Sequence, residues 1–317
     1  MTALQEKPKA VAPEGPPPRR RGKRATALAG TDKLVLGLML GIPTIVHVLF
    51  VWIPTLGSIA LSFSRWNGIG GFEDIEWIGV SNYVEIFTEY PRFWPAVQHN
   101  LIWLVFLLVV PTTAGLLLAV LLDREIKGSR IYQSALYMPM VLSLALIGFI
   151  WQLIYTPDGG LLNSVLGLDK PIDFIGDSDI NLYAVLVAAA WRHAGYIMLL
   201  YLAGLKGVDP SLKEAAALDG ASAVQTFFRV TFPVMKPVNI VVAVVTVIEA
   251  LRAFDIVYVI NKGRNGLELL SVLVTDNIIG EASRIGRGSA VAVILLTISL
   301  GVIIPYLYQV FSKENRT

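Results

Sequence analysis

Four ionisable side chains interrupt the most apolar stretches of this chain: Arg192 in one run, and Glu249, Arg252 and Asp255 at every third residue of another. A charge at a bilayer centre costs about 2.5–3.5 kcal/mol on insertion scales, so such groups should face a cavity or one another. Two readings fit the spacing. A ladder of alternating sign at i, i+3 would neutralise itself and only help pack a helix bundle. The same groups could instead line a polar path through the membrane. Trp191 and Tyr258 add apolar rings with polar tips, suited to stacking on a ring-shaped ligand or to packing and interface anchoring.

Other chemistries lack their residues. There is no cysteine, which excludes thiol catalysis, disulfides and thiolate metal sites. His47, His99 and His193 lie far apart with no H-x-x-x-H pair, so no metal site is expected. No lysine is followed by Ser or Thr, so the chain has no phosphate-binding P-loop and no ATP site of that kind. No G-x-S-x-G elbow is present. Asp123 and Glu125 are the nearest candidates for the acid cluster that a membrane-embedded transferase would need.

These residues must be held by elements that suit lipid. Of 317 residues, 55% are hydrophobic and only 16% charged, with a mean hydropathy of +0.63. A soluble domain carries about 25% charged residues, so a water-facing surface could not be covered. The net charge of +2 is too small to imply nucleic acid. The composition predicts an all-α integral membrane protein.

Residues 1–33 are polar and rich in Pro and Arg, as in Pro16-Pro17-Pro18-Arg19-Arg20-Arg21. With nothing to bury, they are expected to form a disordered basic tail. The apolar run behind them is long enough to be a retained first helix rather than a cleaved signal. Six spans follow: Leu34 to about Leu56, Leu101 to Leu122, Met138 to Tyr155, Leu182 to Leu205, Val238 to Ile260, and Ser289 to Gln309. The first continues apolar to Phe63, and Pro43 and Pro54 should kink it rather than end it. An N-terminus in the cytoplasm puts most of the 26 Lys and Arg inside, so both termini are expected there. The loop from Asn261 to Gly288 is a local exception to that charge bias. Residues 64–95 then form an acidic extracytoplasmic loop, 96–309 a five-helix core, and 310–317 a cytoplasmic tail.

The cytoplasmic loop 206–237 is the most informative stretch. Ser211 with Glu214, and Ser222 with Gln225, have capping-box spacing. Gly220 sits where the first short helix would end in a left-handed residue, and Pro233 should stop the second. Two capped helices joined by a sharp turn are predicted. The first shows a small Ala215-Ala216-Ala217 surface, suited to a groove on another protein, although packing on the ends of the spans is the plainer alternative.

The order Glu214-Ala215-Ala216, three residues, Gly220, nine residues, then Val230-Thr231-Phe232-Pro233 resembles the EAA loop, E-A-A-x3-G-x9-I-x-L-P, of binding-protein-dependent ABC transporter permeases. The chain is similar to their carbohydrate branch, on the side of the maltose MalF-type and glycerol-phosphate-type permeases. Trp77-Ile78-Gly79-Val80-Ser81-Asn82-Tyr83, Asn100, Tyr137-Met138-Pro139, Gly160-Leu161-Leu162-Asn163, Leu202-Ala203-Gly204-Leu205 and Phe254-Asp255-Ile256-Val257-Tyr258-Val259 also fit. Asn261-Lys262-Gly263-Arg264-Asn265 departs from the T-x-G-G-P of those permeases.

The resemblance implies a type I ABC importer permease fold (MetI/MalF-like). It makes 206–237 a coupling loop in which Glu214, Ala215, Ala216, Asp219, Gly220 and Pro233 engage an ATPase. It implies a sugar or oligosaccharide substrate, with glycerol phosphate as the alternative. Trp191, Arg192, Glu249, Arg252, Asp255 and Tyr258 become candidates for the substrate pathway. The implied partners are a second permease, two ATP-binding cassette subunits that hold the ATP and magnesium, and an extracytoplasmic binding protein touching the acidic stretch Arg65 to His99. The chain itself would be no enzyme. An ion-driven secondary transporter is the main rival, but no internal repeat supports it.

Overall fold

A computed structural model describes residues 30–124, 127–167, 169–280 and 283–314. Most of the basic N-terminal stretch, Glu125 and the last residues of the chain lie outside them. The chain divides into two units, residues 1–54 and 55–317.

The first unit is helical throughout its described part. Helix α1 (Gly30–His47) runs through Pro43 into a π-turn at Val48–Trp52, and then into α2 (Ile53–Leu61). None of the residues of α1 is buried. The widened turn lies directly before Pro54, whose ring would otherwise strike the carbonyl four residues back. As expected of the prolines, neither Pro43 nor Pro54 ends the helical run, which continues from Gly30 to Leu61.

The second unit continues with a two-stranded antiparallel ribbon, β1 (Ser64–Arg65) against β2 (Glu76–Trp77), in which Ser64 faces Trp77. The short helix α3 (Ser81–Thr88) follows. The buried Asn82 donates from Nδ2 to the carbonyls of Ser62 (2.9 Å) and Ser64 (2.8 Å), and Tyr83 Oη donates to Ser62 Oγ at 2.7 Å. Asn82 thus satisfies backbone carbonyls left open just past the end of α2, while Tyr83 holds the Ser62 hydroxyl.

Helices α4 (Phe93–Asp123) and α8 (Asn181–Lys206) form the centre of the unit. In its most apolar window α8 is 50% buried, against 22% for α4 and 11% for the Ile285–Tyr308 part of α15 (Ile285–Glu314). The first is therefore an inner helix, and the other two leave most of their apolar surface uncovered by this chain. Close approach is achieved at Gly195, where a Cβ would lie 2.1 Å from the carbonyl oxygen of Leu136 on α5 (Ser129–Val141).

Two of the six expected spans are not single helices. The Met138 to Tyr155 stretch is split between α5 and α6 (Leu144–Tyr155), which bend by 101°. Ser143 Oγ caps α6 by accepting from Leu146 N at 3.2 Å. The Val238 to Ile260 stretch is split into α12 (Lys236–Leu251) and α13 (Asp255–Asn261). Among the described residues, four helices are long and apolar enough to cross a membrane, or five if the bent pair counts as one. The segment expected as a loop from Asn261 to Gly288 contains α14 (Leu270–Ile279), with Leu270, Val272, Leu273 and Asn277 buried. The short α7 (Leu161–Leu166) lies between α6 and α8.

Candidate functional site

The segment after α8 folds as two short arms. Helix α9 (Pro210–Leu218) is capped by Asp209, not by Ser211 as its spacing with Glu214 suggested: Asp209 Oδ1 accepts from Ser211 N at 2.9 Å, with Pro210 at the first helical position. That position suits proline, which has no N–H to leave unsatisfied. Bonding to the Ser211 amide holds the Asp209 carboxyl below its ordinary pKa.

At the other end of α9, Gly220 N donates to Ala217 O at 3.1 Å and Ala221 N to Ala216 O at 3.0 Å, with Gly220 at φ 77°. This is a Schellman turn. The second arm opens with the expected capping box, Ser222 N to Gln225 Oε1 at 2.8 Å and Gln225 N to Ser222 Oγ at 3.3 Å. It comprises α10 (Ala223–Thr226), a π-turn at Phe227–Thr231 and α11 (Phe232–Val234). At Pro233 the arm does not continue smoothly: the turn before it widens, the arm ends at Val234, and Met235, at ψ 10°, separates it from α12.

Glu214, Ala215, Asp219 and Gly220 are exposed, whereas Ala216 turns inward. Leu218 is 89% exposed, and Val224 and Phe228 are also open. Lys213 Nζ reaches Asp123 Oδ2 at 3.5 Å, tying the elbow to the end of α4.

The charged residues of the apolar runs do not form an i, i+3 ladder. α12 stops at Leu251, so Arg252 lies in the break and Asp255 begins a new helix. Glu249 pairs instead with Arg192 of α8, Oε1 to Nη1 at 2.6 Å, with side chains 40% and 14% exposed. Beside them His193 Nε2 and Thr246 Oγ1 lie 3.0 Å apart, both buried. Arg192, Glu249, Arg252 and Asp255 all line one cavity of about 240 Å³, with Trp103 and Phe254 among its apolar walls. Two arginines face two carboxylates there, so the formal charge balances.

Trp191 and Tyr258 lie elsewhere. Trp191 packs edge-on against Trp151 at 5.9 Å between centroids. Tyr258 stacks on Phe254 at 4.9 Å and lines a different cavity, with Arg92, Lys262, Arg264 and Asp276. Sequence reasoning missed His193 and Thr246 as partners, although Thr246 stands one helical turn before Glu249 on the same face.

The family model described as "Binding-protein-dependent transport system inner membrane component" matches residues 111–317. The xylose/arabinose import permease protein XacH of Haloferax volcanii is 34% identical over 283 residues, covering 86% of this chain and 87% of that protein. The probable ABC transporter permease protein YurN of Bacillus subtilis is 32% identical over 281 residues, covering 86% and 94%. A crystal structure of a bacterial ABC transporter involved in the import of the acidic polysaccharide alginate superposes with a TM-score of 0.77 at 19% identity, covering 88% of this chain and 96% of that one.

Proposed function

The chain belongs to the family of binding-protein-dependent transport system inner membrane components, and from that membership we propose that it carries a sugar across the cell membrane in an ATP-driven importer. It is a multi-pass ABC permease subunit and not itself an enzyme. The xylose/arabinose import permease among its relatives supports the sugar assignment. A second permease, two ATPase subunits and an extracytoplasmic binding protein complete the machine, and both termini face the cytoplasm.

The elbow at 209–234 carries this reading. Its Schellman turn holds α9 and the second arm at a fixed angle, while Ala215, Leu218, Val224 and Phe228 remain open to a partner. An ATPase that grips these side chains differently in its open and closed states would bias the permease between two conformations; equal grip would transmit nothing. Glu214, Asp219 and Gly220 belong to the gripped surface, and Pro233 to the path that leads from it.

The charge-balanced cavity between α8, α12 and α13 is assigned to the translocation path. At about 240 Å³ it lies below the usual range for drug-sized ligands, which suits one sugar ring at a time. Arg192, Glu249, Arg252 and Asp255 offer donors and acceptors for hydroxyl groups. Trp191 and Tyr258 flank the path from outside this cavity.

The test is uptake of radiolabelled sugar into proteoliposomes holding the complete transporter. ATP-dependent import that needs the binding protein is expected. Import by this chain alone, driven by an ion gradient, would overturn the assignment.

A further inference from the structure

The turn 261–266, beyond the end of α13, is built at a conformational cost. Lys262 and Asn265 both adopt left-handed backbone, at φ 57° and 53°, which side-chain-bearing residues seldom occupy. Such positions persist only where the surroundings enforce them. Here Asn181 Nδ2 donates to Asn265 O, and Asn261 Nδ2 donates to Arg264 O at 2.9 Å. The result is a fixed turn that presents Lys262 and Arg264 to a cavity of about 670 Å³.

Neither of those two side chains makes an ion pair with any described residue. The third cation of the cavity, Arg92, is already engaged, with Asp276 at 2.8 Å, Glu268 at 4.0 Å and the Gly263 carbonyl at 3.3 Å. Three cations against the two carboxylates Glu268 and Asp276 leave the lining positive by one. Helix α13 borders both cavities: Asp255 and Ile256 line the charge-balanced one, and Tyr258, with Lys262 just past the helix end, the other. Seven helical residues span about 10 Å, the scale of a disaccharide.

Building on the sugar-import reading, we propose that the transported saccharide carries a carboxylate, which Lys262 and Arg264 bind while a neighbouring ring enters the balanced inner cavity. A single excess positive charge matches a monoanionic carboxylate better than a phosphate dianion. Lys and Arg donors carried on a fixed turn form charge-assisted hydrogen bonds to an oxyanion.

The complete transporter in proteoliposomes tests this with uronate-bearing disaccharides, their neutral counterparts, glycerol 3-phosphate and glucose 6-phosphate. Uptake of the uronates is expected, and Lys262→Gln with Arg264→Gln should lower it about tenfold or more. Lys262→Arg with Arg264→Lys should restore most of it, and thermal unfolding of each purified complex checks that the fold is kept. Import of neutral disaccharides, unchanged in the Gln pair, would overturn the carboxylate while leaving ATP-driven sugar import standing. Import of the phosphate esters alone would also overturn it. Uptake of no saccharide by complexes that hydrolyse ATP would sink the sugar reading together with this one.

Discussion

Arg192 of α8 and Glu249 of α12 meet at 2.6 Å across 57 residues of sequence. Removing either partner leaves the other charge uncompensated beside a cavity, while removing both does not. Arg192→Ala and Glu249→Ala should each lower the thermal stability of the purified complex. The double variant should fall short of their sum by about 1–2 kcal/mol. Additive losses, with transport intact in both single variants, would show that the pair is neither a packing element nor part of the path.

Gly220 offers a sharper test of the elbow. No atom lies within 4 Å of a Cβ built there, so a larger side chain would not clash. Only the left-handed backbone resists it, at about 1–2 kcal/mol for a β-branched residue. Gly220→Val should therefore cut ATP-driven uptake while the complex still assembles, with Gly220→Asn milder. Normal coupling between hydrolysis and uptake in the Val variant would remove the turn from the mechanism.

The cap of α9 depends on ionised Asp209. Its pKa is lowered by the Ser211 amide, so the cap is fully present above the unfolded aspartate pKa and is lost as pH falls through the lower folded value. Protection of the first amides of α9 against hydrogen exchange, taken relative to their intrinsic rates at each pH, should fall over that acidic interval. Asp209→Asn should flatten the dependence because the amide oxygen caps without titrating.

Asn82→Ala leaves the carbonyls of Ser62 and Ser64 without their donor in a buried setting. A cost of about 1–3 kcal/mol is expected, read as a lower unfolding temperature. Asn82→Asp, which also cannot donate to both carbonyls, should be no better. A stability equal to wild type in either would show that water replaces the amide.

Four of the expected spans appear as long helices because sustained apolar runs leave few alternatives. The elbow was legible for a local reason: its glycine and its second capping box act through neighbours a few residues away. The split at 252–254 was not. Arg252, Ala253 and Phe254 contain no helix breaker. The freed carbonyl of Ala253 is met by Ser271 Oγ, and Gln152 Nε2 donates to Ile260 O at 3.3 Å. Both donors come from elements remote in sequence.

Helix α14 was hidden in the same way. Asn100 Oδ1 accepts from Leu270 N at 2.9 Å, so an asparagine 170 residues earlier caps its first turn. The ladder of Glu249, Arg252 and Asp255 failed as an expectation because it assumed one unbroken helix. The four charges still came together, since apolar surroundings leave ionised groups only one another and the cavity.

The second arm ends at Val234, one residue past Pro233, and α12 begins at Lys236 after the single residue Met235. Sixteen residues later, about 24 Å along the axis, that helix ends near Glu249. Under the coupling assignment this makes α12 a lever: displacement taken up at the elbow crosses the single hinge residue Met235 and reaches the carboxylate that holds Arg192. Motor stroke and buried ion pair would then sit at opposite ends of one hinged strut.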